Sequence, residues 1–426
     1  MLFATSLIVD TKGESIFNTV KDYFKKKHIP LANIMSVATD GVPAMICLLR
    51  NLYSLKTAKK STFKFSDLQI NYVDEKKKSP KPDENNLLFG KVFSDHMLEI
   101  EWSEENGWGK PIIGPIHNLN LHPACKVFHY AQELFEGLKA YRSKNDKILL
   151  FRPDLNIKRL LTTAERASFP VFDENEFLKC LKKLVSIDKT WVPHKKLSSL
   201  YIRPTFIGIE PSLGIGSSKK ALLFVITGPV GSYYEIGEEK PVSLLADPSF
   251  VRAWPGGVGS KKMGCNYAPT LYVQKVAEKQ NFQQVLWLFG EDHQLAEVGT
   301  MNIFVYLINS NGDHELITPP LDGTILPGIT RQSLLDLANK WGEFKVSERN
   351  ITMKEIILAK RENRLLEMFG SGTACVVSPV GSISYLGNTI TIPTIESAHS
   401  LHRRFSNELI NIQYGNIKSE WSVPVD

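Results

Sequence analysis

The chain has 426 residues, 43% hydrophobic and 23% charged, with a formal net charge of +6. That length predicts two or three domains with cores of their own, and no run approaches the roughly 18 apolar residues a membrane span needs, so a soluble body is expected. Residues 1–88 hold 14 Lys/Arg against 9 Asp/Glu, a net of +5, so the remainder is close to neutral and offers no charge for counterion-release binding to nucleic acid.

Residues 1–60 read differently from the rest. Asp10–His28 spaces Ile16, Val20 and Phe24 by four and ends on Lys25–Lys27, which predicts an amphipathic helix broken by Pro30. Asn33–Met45 predicts a strand closing on an Asp40-Gly41 turn. Leu2-Phe-Ala-Thr-Ser-Leu, Thr11-Lys-Gly-Glu and Thr39-Asp-Gly-Val-Pro-Ala-Met together resemble a fragment of the catalytic domain of hAT-type transposases. In that family the aspartate of Thr-Asp-Gly is a metal-binding carboxylate of an RNase-H-like core. About 45 residues cannot bury such a core, so a fused remnant without transposase activity is expected, and no metal site.

Between Asp40 and Asp67 there is no acidic residue, while Arg50, Lys56, Lys59, Lys60 and Lys64 lie among Ser, Thr and Leu. Such a composition is that of a mitochondrial presequence. Translation from Met45 would expose residues 45–65 as a signal for the mitochondrial matrix. Translation from Met1 would bury them mid-chain and leave the protein in the cytoplasm. The plain alternative is a basic linker.

Residues 61–88 read as an arm and charged linker, since Tyr72–Asn86 carries Asp74-Glu-Lys-Lys-Lys-Ser-Pro-Lys-Pro-Asp and cannot pack a core. From Phe89 strands and helices alternate, which predicts a mixed α/β fold. Strands are expected at 98–102, 148–151, 200–207 and 221–226, with a helix at 172–185 that starts acidic and ends in lysines. Gly228-Pro-Val-Gly-Ser marks a boundary, giving a smaller domain at 89–230, a loop at 231–241 and a larger domain at 242–426. Further strands are expected at 242–246, 284–288 and 302–307, with helices after Gly328 and before Tyr414.

Chemistry concentrates in the second half. Gly256-Gly-Val-Gly-Ser-Lys-Lys-Met-Gly-Cys-Asn-Tyr267 sets two lysines in a permissive glycine run. Gln294-Leu-Ala-Glu-Val-Gly-Thr-Met-Asn302 reads as a connection between strands, in which Glu297 either pairs with a cationic ring nitrogen or is a turn acid. Leu326-Pro-Gly-Ile-Thr-Arg opens a helix whose free amides suit a phosphate, and Phe369-Gly-Ser-Gly-Thr-Ala-Cys375 adds small residues and Thr373. An amine, an acid and a helix start are what an aldehyde cofactor bearing a phosphate requires.

In this order the segments resemble the branched-chain amino acid aminotransferases, pyridoxal-phosphate enzymes of fold type IV. The resemblance runs from Phe89 to Gly415 and includes Leu134-Phe-Glu-Gly-Leu-Lys-Ala, Tyr201-Ile-Arg-Pro-Thr-Phe-Ile-Gly, Glu210-Pro-Ser-Leu-Gly, Val285-Leu-Trp-Leu-Phe-Gly and Gly370-Ser-Gly-Thr-Ala. It implies two α/β domains with pyridoxal 5'-phosphate between them, and a homodimer. It implies that Lys262 rather than Lys261 anchors the cofactor and shuttles the proton, with Glu297 by the pyridine nitrogen and Tyr267 by the ring oxygen. Arg159, Ile329, Thr330 and Thr373 would hold the phosphate. Phe89, Tyr130, Phe135, Tyr201, Arg203, Thr300, Met301 and Ala374 would bind substrate, with Ile215 reaching the neighbouring subunit's pocket. Aromatic walls suit leucine, isoleucine or valine, and the forked guanidinium of Arg203 suits the γ-carboxylate of glutamate. The implied reaction is reversible, ping-pong transfer of the amino group to 2-oxoglutarate.

Two departures stand out. Cys375-Val-Val-Ser378 lacks the second thiol of the Cys-x-x-Cys switch that mammalian members carry, so that switch is not expected here. Cys265 replaces the glycine usual three residues past the lysine, and tolerance is expected. Cys47, Cys125, Cys180, Cys265 and Cys375 show no zinc-ligand spacing, consistent with a reducing compartment. Two rival readings are another fold-type IV enzyme, such as a D-amino acid aminotransferase or a lyase, and a transposon-derived protein that binds nucleic acid. The Tyr201/Arg203 strand and the long arm favour the branched-chain enzymes.

Overall fold

The computed structural model describes residues 62–231 and 240–426. The helix and strand expected at 10–28 and 33–45, the transposase-like segment, the presequence up to residue 61 and most of the loop at 231–241 lie outside the described residues.

Two sheets organise the described chain, and the mixed α/β architecture is the expected one. The first contains β1 (Gln69–Ile70), β2 (His96–Ser103), β3 (Gly107–Trp108), β4 (Ile112–Pro115), β5 (Glu133–Phe135), β6 (Leu138–Arg142), β7 (Ile148–Phe151), β8 (Ser199–Gly208) and β9 (Lys220–Val230). The second contains β10 (Val242–Ala246), β11 (Gln284–Phe289), β12 (Gln294–Val298), β13 (Met301–Ile308), β14 (His314–Thr318), β15 (Lys345–Glu348), β16 (Leu365–Gly372), β17 (Val376–Tyr385) and β18 (Asn388–Thr391). The last strand, β19 (Ser422–Pro424), returns to the edge of the first sheet beside β7.

The first sheet runs β1-β4-β2-β9-β8-β6-β7-β19. The helices α1 (Lys126–Tyr130), α2 (Pro153–Arg166) and α3 (Glu174–Ile187) belong to this half. In α3 the Asp173 carboxylate caps the start by accepting from the amides of Asn175 and Glu176. Phe177, Cys180, Leu181 and Leu184 recur at helical spacing and are fully buried beside Leu98, Ile100 and Phe206. The helix runs two residues past its expected end, so Lys182 and Lys183 stand one turn inside it.

In the second sheet β12 pairs with both β11 and β13, which closes a ring of six strands, β12-β11-β10-β17-β16-β13. One buried cluster draws Leu244, Leu286, Val298, Ile303, Met368 and Val380 from those six strands. Four helices accompany it: α4 (Thr270–Lys279), α5 (Ile329–Trp341), α6 (Met353–Arg361) and α7 (Leu401–Gln413). The segment 294–298 is a strand rather than a connection. Leu295, Ala296, Glu297 and Val298 are all buried, so both faces are covered and the polar–apolar alternation that signals a half-exposed strand is missing.

The arm belongs to the folded body from its first described residues. Phe63 is buried among Trp108, Phe172 and Phe177, and the Phe65 amide donates to Glu176 at 2.6 Å. Within the expected targeting stretch, Phe63 is therefore part of this core and Phe65 packs against it. The linker that follows builds no core but is tied down by polar contacts. The Val73 amide donates to His96 Nε2 (3.0 Å), the Ser79 amide to Asp95 (2.8 Å) and the Lys195 amide to Glu84 (2.7 Å). Among the described residues no helix is long and apolar enough to cross a membrane.

Candidate active site

Lys262 sits in the glycine-rich run between β10 and α4, and main-chain bonds stitch that run to the first half. The Phe135 amide donates to the Lys262 carbonyl at 3.0 Å, and the Lys262 amide donates to Thr163 Oγ1 at 3.3 Å. The Lys262 amine donates to Tyr267 Oη at 3.0 Å and lies 4.7 Å from the centre of the Phe135 ring. Burial first, and then the charge of Arg159, pull that amine down to about 7; Arg203 adds to the effect, while Glu136 and Glu297 oppose it. Burial also pushes the Tyr267 phenol up to about 12, so it is a neutral hydrogen-bonding group at physiological pH.

Arg159 projects from α2 and is held by Glu136, Nε to Oε1 at 2.6 Å and the second nitrogen to Oε2 at 2.8 Å. Its remaining nitrogen donates to the Pro327 carbonyl at 3.1 Å, which places the guanidinium at the start of α5. Glu136 is fully buried, which alone would push its carboxyl up, but Arg159 and then Lys262 and Asn156 outweigh burial and hold it low. At the N-cap of α5 stands Gly328, which has no side chain to cap the helix and leaves its first amides without a side-chain acceptor, and Ile329 and Thr330 line a cavity. That cavity is also lined by Gly137, Lys139, Asn156 and Thr373. A cationic fork behind an uncapped helix start is an anion cradle.

Glu297, on β12, is buried and paired with Arg252, Nε to Oε2 at 2.8 Å. Its other oxygen accepts from the Leu326 amide (2.9 Å) and from Asn302 Nδ2 (3.2 Å). Burial raises its carboxyl, against the pull of Arg252. A carboxylate so placed gains most from a second cationic partner.

On the substrate side β8 presents Tyr201 and Arg203 on one face. Arg203 donates to Tyr201 Oη at 2.9 Å, stacks over Phe135 at 4.7 Å, and keeps its Nε buried without a partner among the described residues. Phe89 packs edge-on against Tyr201, ring centres 4.9 Å apart. Met301 is buried with its sulfur 3.1 Å from Cys375, while Thr300 and Ala374 are exposed at the tips of the β12–β13 and β16–β17 turns. Tyr130 and Ile215 are not brought to Lys262 by contacts within this chain. Ile215 is 88% exposed in the loop after β8, and the exposed Tyr130 donates to the Leu213 carbonyl of the same loop.

The approach of Gly137 to Tyr201 is close enough to forbid a side chain, since a Cβ would lie 2.0 Å from Tyr201 Oη. Gly137→Ala should push Tyr201 off Arg203, cost about 1–3 kcal/mol as overpacking and raise KM for the substrate bound there by about tenfold. Steady-state kinetics with a thermal melt check this. Cys265 lies in a single 3-10 turn, Gly264–Asn266, where Asn266 Nδ2 still donates to the carbonyls of Val258 (2.7 Å) and Lys261 (2.6 Å). The turn is intact around the thiol, so Cys265→Gly should change kcat by less than about threefold, within the range of surface substitutions. A many-fold rise would contradict that.

Glu136, Asn156, Arg252 and Asn302 were not marked by the sequence. Glu136 lies inside the Leu134–Ala140 motif, but its pairing with Arg159 joins a strand to a helix, and nothing near Arg252 announces Glu297. The site fits pyridoxal phosphate on its donor set: an amine that is neutral from about pH 7, an acid, an uncapped helix start with a cation, and an orphaned guanidinium nitrogen for a carboxylate.

The family model described as amino-transferase class IV matches residues 133–383. Class IV aminotransferases are pyridoxal-phosphate enzymes. The cytosolic branched-chain-amino-acid aminotransferase of Rattus norvegicus is 56% identical over 362 residues, 85% of this chain and 88% of the relative. The mitochondrial branched-chain-amino-acid aminotransferase of Bos taurus is 54% identical over 384 residues, 90% of this chain and 96% of the relative. Among solved structures, the branched-chain amino acid aminotransferase of Thermobaculum terrenum in its PLP-bound holo form shares the fold, with a TM-score of 0.60 at 18% identity over 79% of this chain and 100% of that one. The chain belongs to the class IV aminotransferases and, within them, to the branched-chain-amino-acid aminotransferase family.

Proposed function

We propose that this chain is a pyridoxal-phosphate transaminase that moves the amino group of L-leucine, L-isoleucine or L-valine reversibly to 2-oxoglutarate. The observation that carries the reading is the Lys262 amine, drawn down to about 7 among Tyr267, Arg159, Arg203 and the buried Glu297.

Bound here, pyridoxal phosphate supplies an aldehyde and a pyridine ring that accepts the electron pair released at the substrate Cα. Lys262 Nζ would hold the aldehyde, and the same amine would take the Cα proton and return it. Glu297 would hold the pyridine nitrogen in its protonated form, and Tyr267 Oη would donate to the ring oxygen. Arg159, the amides of Ile329 and Thr330 and the Thr373 hydroxyl would hold the phosphate. Phe89, Phe135, Tyr201 and Met301 wall an apolar slot for a branched side chain, and Thr300 and Ala374 border it from the second sheet. Arg203, whose Nε has no hydrogen-bond partner among the described residues, would receive the γ-carboxylate when glutamate takes the same slot.

The exposure of Tyr130 and Ile215 supports a homodimer in which the loop after β8 completes the neighbouring pocket. Matrix targeting rests on the basic stretch at residues 45–65. Chains tagged after translation from Met1 and from Met45 should separate to cytoplasm and mitochondrion, and a cytosolic location for both would end that idea.

Glutamate formation from 2-oxoglutarate with each L-amino acid tests the reaction, with parallel double-reciprocal lines expected for ping-pong transfer. Turnover of D-alanine without turnover of L-leucine would favour a different fold-type IV enzyme. The cofactor-free protein should take up pyridoxal phosphate at a rate that rises with pH through about 7, because the neutral amine is the nucleophile and burial has lowered its protonation from 10.5. A midpoint near 10 would place Lys262 in solvent.

A further inference from the structure

Lys139 has no role in the reading so far, yet it is a buried ammonium at the edge of the site. It lies on β6, only 7% exposed, directly opposite Tyr201 on β8 in the strand register. Opposed residues of paired strands share a face, so Lys139 stands beside Tyr201 and, two residues on, Arg203. Its amine crosses from the first sheet to the second and donates to the Ala374 carbonyl at 3.0 Å, in the three-residue turn that joins β16 to β17. It also lines the cavity shared with Thr330 and Thr373.

An ammonium has three donors, and among the described residues the Ala374 carbonyl is the one hydrogen-bond partner and no carboxylate pairs with it. Burial pulls the amine down to about 8. An unpaired charge costs free energy in such a place unless a ligand of opposite sign completes it. Arg159 already answers the phosphate, and Arg203 the γ-carboxylate. The group left without a counter-charge is the α-carboxylate, which every substrate of this reaction carries.

We propose that Lys139 is a positioning residue for the substrate α-carboxylate: it fixes the Thr373–Cys375 turn through the Ala374 carbonyl and supplies the positive potential that draws the carboxylate to that turn. The inference rests on the transaminase reading above. Because the α-carboxylate is common to all substrates, Lys139 should govern affinity for leucine and glutamate alike and leave the choice between them untouched.

The test uses holoenzyme of wild type, Lys139→Gln, which keeps a donor for the turn but no charge, and Lys139→Arg, which restores charge. The probe is 4-methylvaleric acid, the leucine skeleton without its amine, titrated against the cofactor absorbance. Lys139→Gln should weaken probe binding by about 10- to 100-fold, the worth of a hydrogen bond to a charged group. It should raise KM for leucine and glutamate by the same factor, leave kcat within about threefold, and leave the cofactor spectrum as in wild type, with partial recovery in Lys139→Arg. Wild-type binding of the probe by Lys139→Gln, or loss of cofactor from a variant with wild-type circular dichroism, would overturn the proposal, the latter by giving Lys139 to the phosphate. Should Lys139→Gln fail to fold, Lys139→Arg decides alone: KM for leucine and glutamate raised by one common factor at unchanged kcat supports the proposal, and wild-type KM for both, or a kcat defect at unchanged KM, refutes it. If wild type itself neither shows a cofactor spectrum nor binds the probe, the transaminase reading fails, and this inference with it.

Discussion

Lys262→Ala lowers leucine transamination by about 10⁴-fold or more, because one amine serves both as covalent anchor and as proton carrier, and removing either role alone costs about 10² to 10⁴. The loss is chemical rather than structural. The loop is held by the Lys262 carbonyl and amide, which bond Phe135 and Thr163 and survive the substitution. Burial, Arg159 and Arg203 already hold the amine down to about 7, so its removal leaves no strongly charged partner behind. Circular dichroism and the melting temperature should therefore stay close to wild type while glutamate formation disappears. Near-wild-type turnover of leucine by this variant would mean the wrong lysine has been identified.

Glu297→Gln is the second large effect, expected to lower kcat by about 10² to 10³, the range for loss of one preorganised charge partner. The side chain keeps its volume, so the bonds from Leu326 and Asn302 to one oxygen can persist. What disappears is the counter-charge to Arg252 at 2.8 Å. On the proposed reading, that arginine would stand without its counter-charge near the pyridine nitrogen and would oppose the protonation that Glu297 would favour. Loss of the acid and exposure of the neighbouring cation act in the same direction. A double variant that also removes Arg252 should regain part of the lost rate, and kcat measured across the cycle tests the coupling. Truncation to alanine also leaves the buried Leu326 amide and Asn302 Nδ2 without their acceptor, about 1–3 kcal/mol each, visible as a lower melting temperature than that of Glu297→Gln.

The parts of this molecule that were legible in the sequence are those written in local pattern. Val242–Ala246 is a strand with the expected bounds because a short apolar run buried on both faces has few alternatives. The Asp173-capped helix and the uncapped start at Gly328 follow from composition near their ends. Other features depend on partners far along the chain. Glu297 was visible as an acid, but its strand was not, because burial on both faces erases alternation. Arg252, Glu136 and Lys139 became visible only when elements distant along the chain were brought together, since each acts on a residue from another element. The linker at 72–86 has the composition of a solvated tether, yet its backbone amides found fixed acceptors in His96 and Asp95, and its Glu84 accepts from Lys195. Composition reports the missing core and is silent on such polar ties.

The absorbance spectrum of purified protein reconstituted with pyridoxal phosphate, recorded before and after leucine is added without any oxo acid, bears most directly on the central claim. The account predicts a visible band from cofactor joined to Lys262, which leucine alone converts to absorption at shorter wavelength and which 2-oxoglutarate restores. A colourless protein, or a band that leucine leaves unchanged, would contradict it, since the fold would then be present without the chemistry assigned to Lys262 and Glu297.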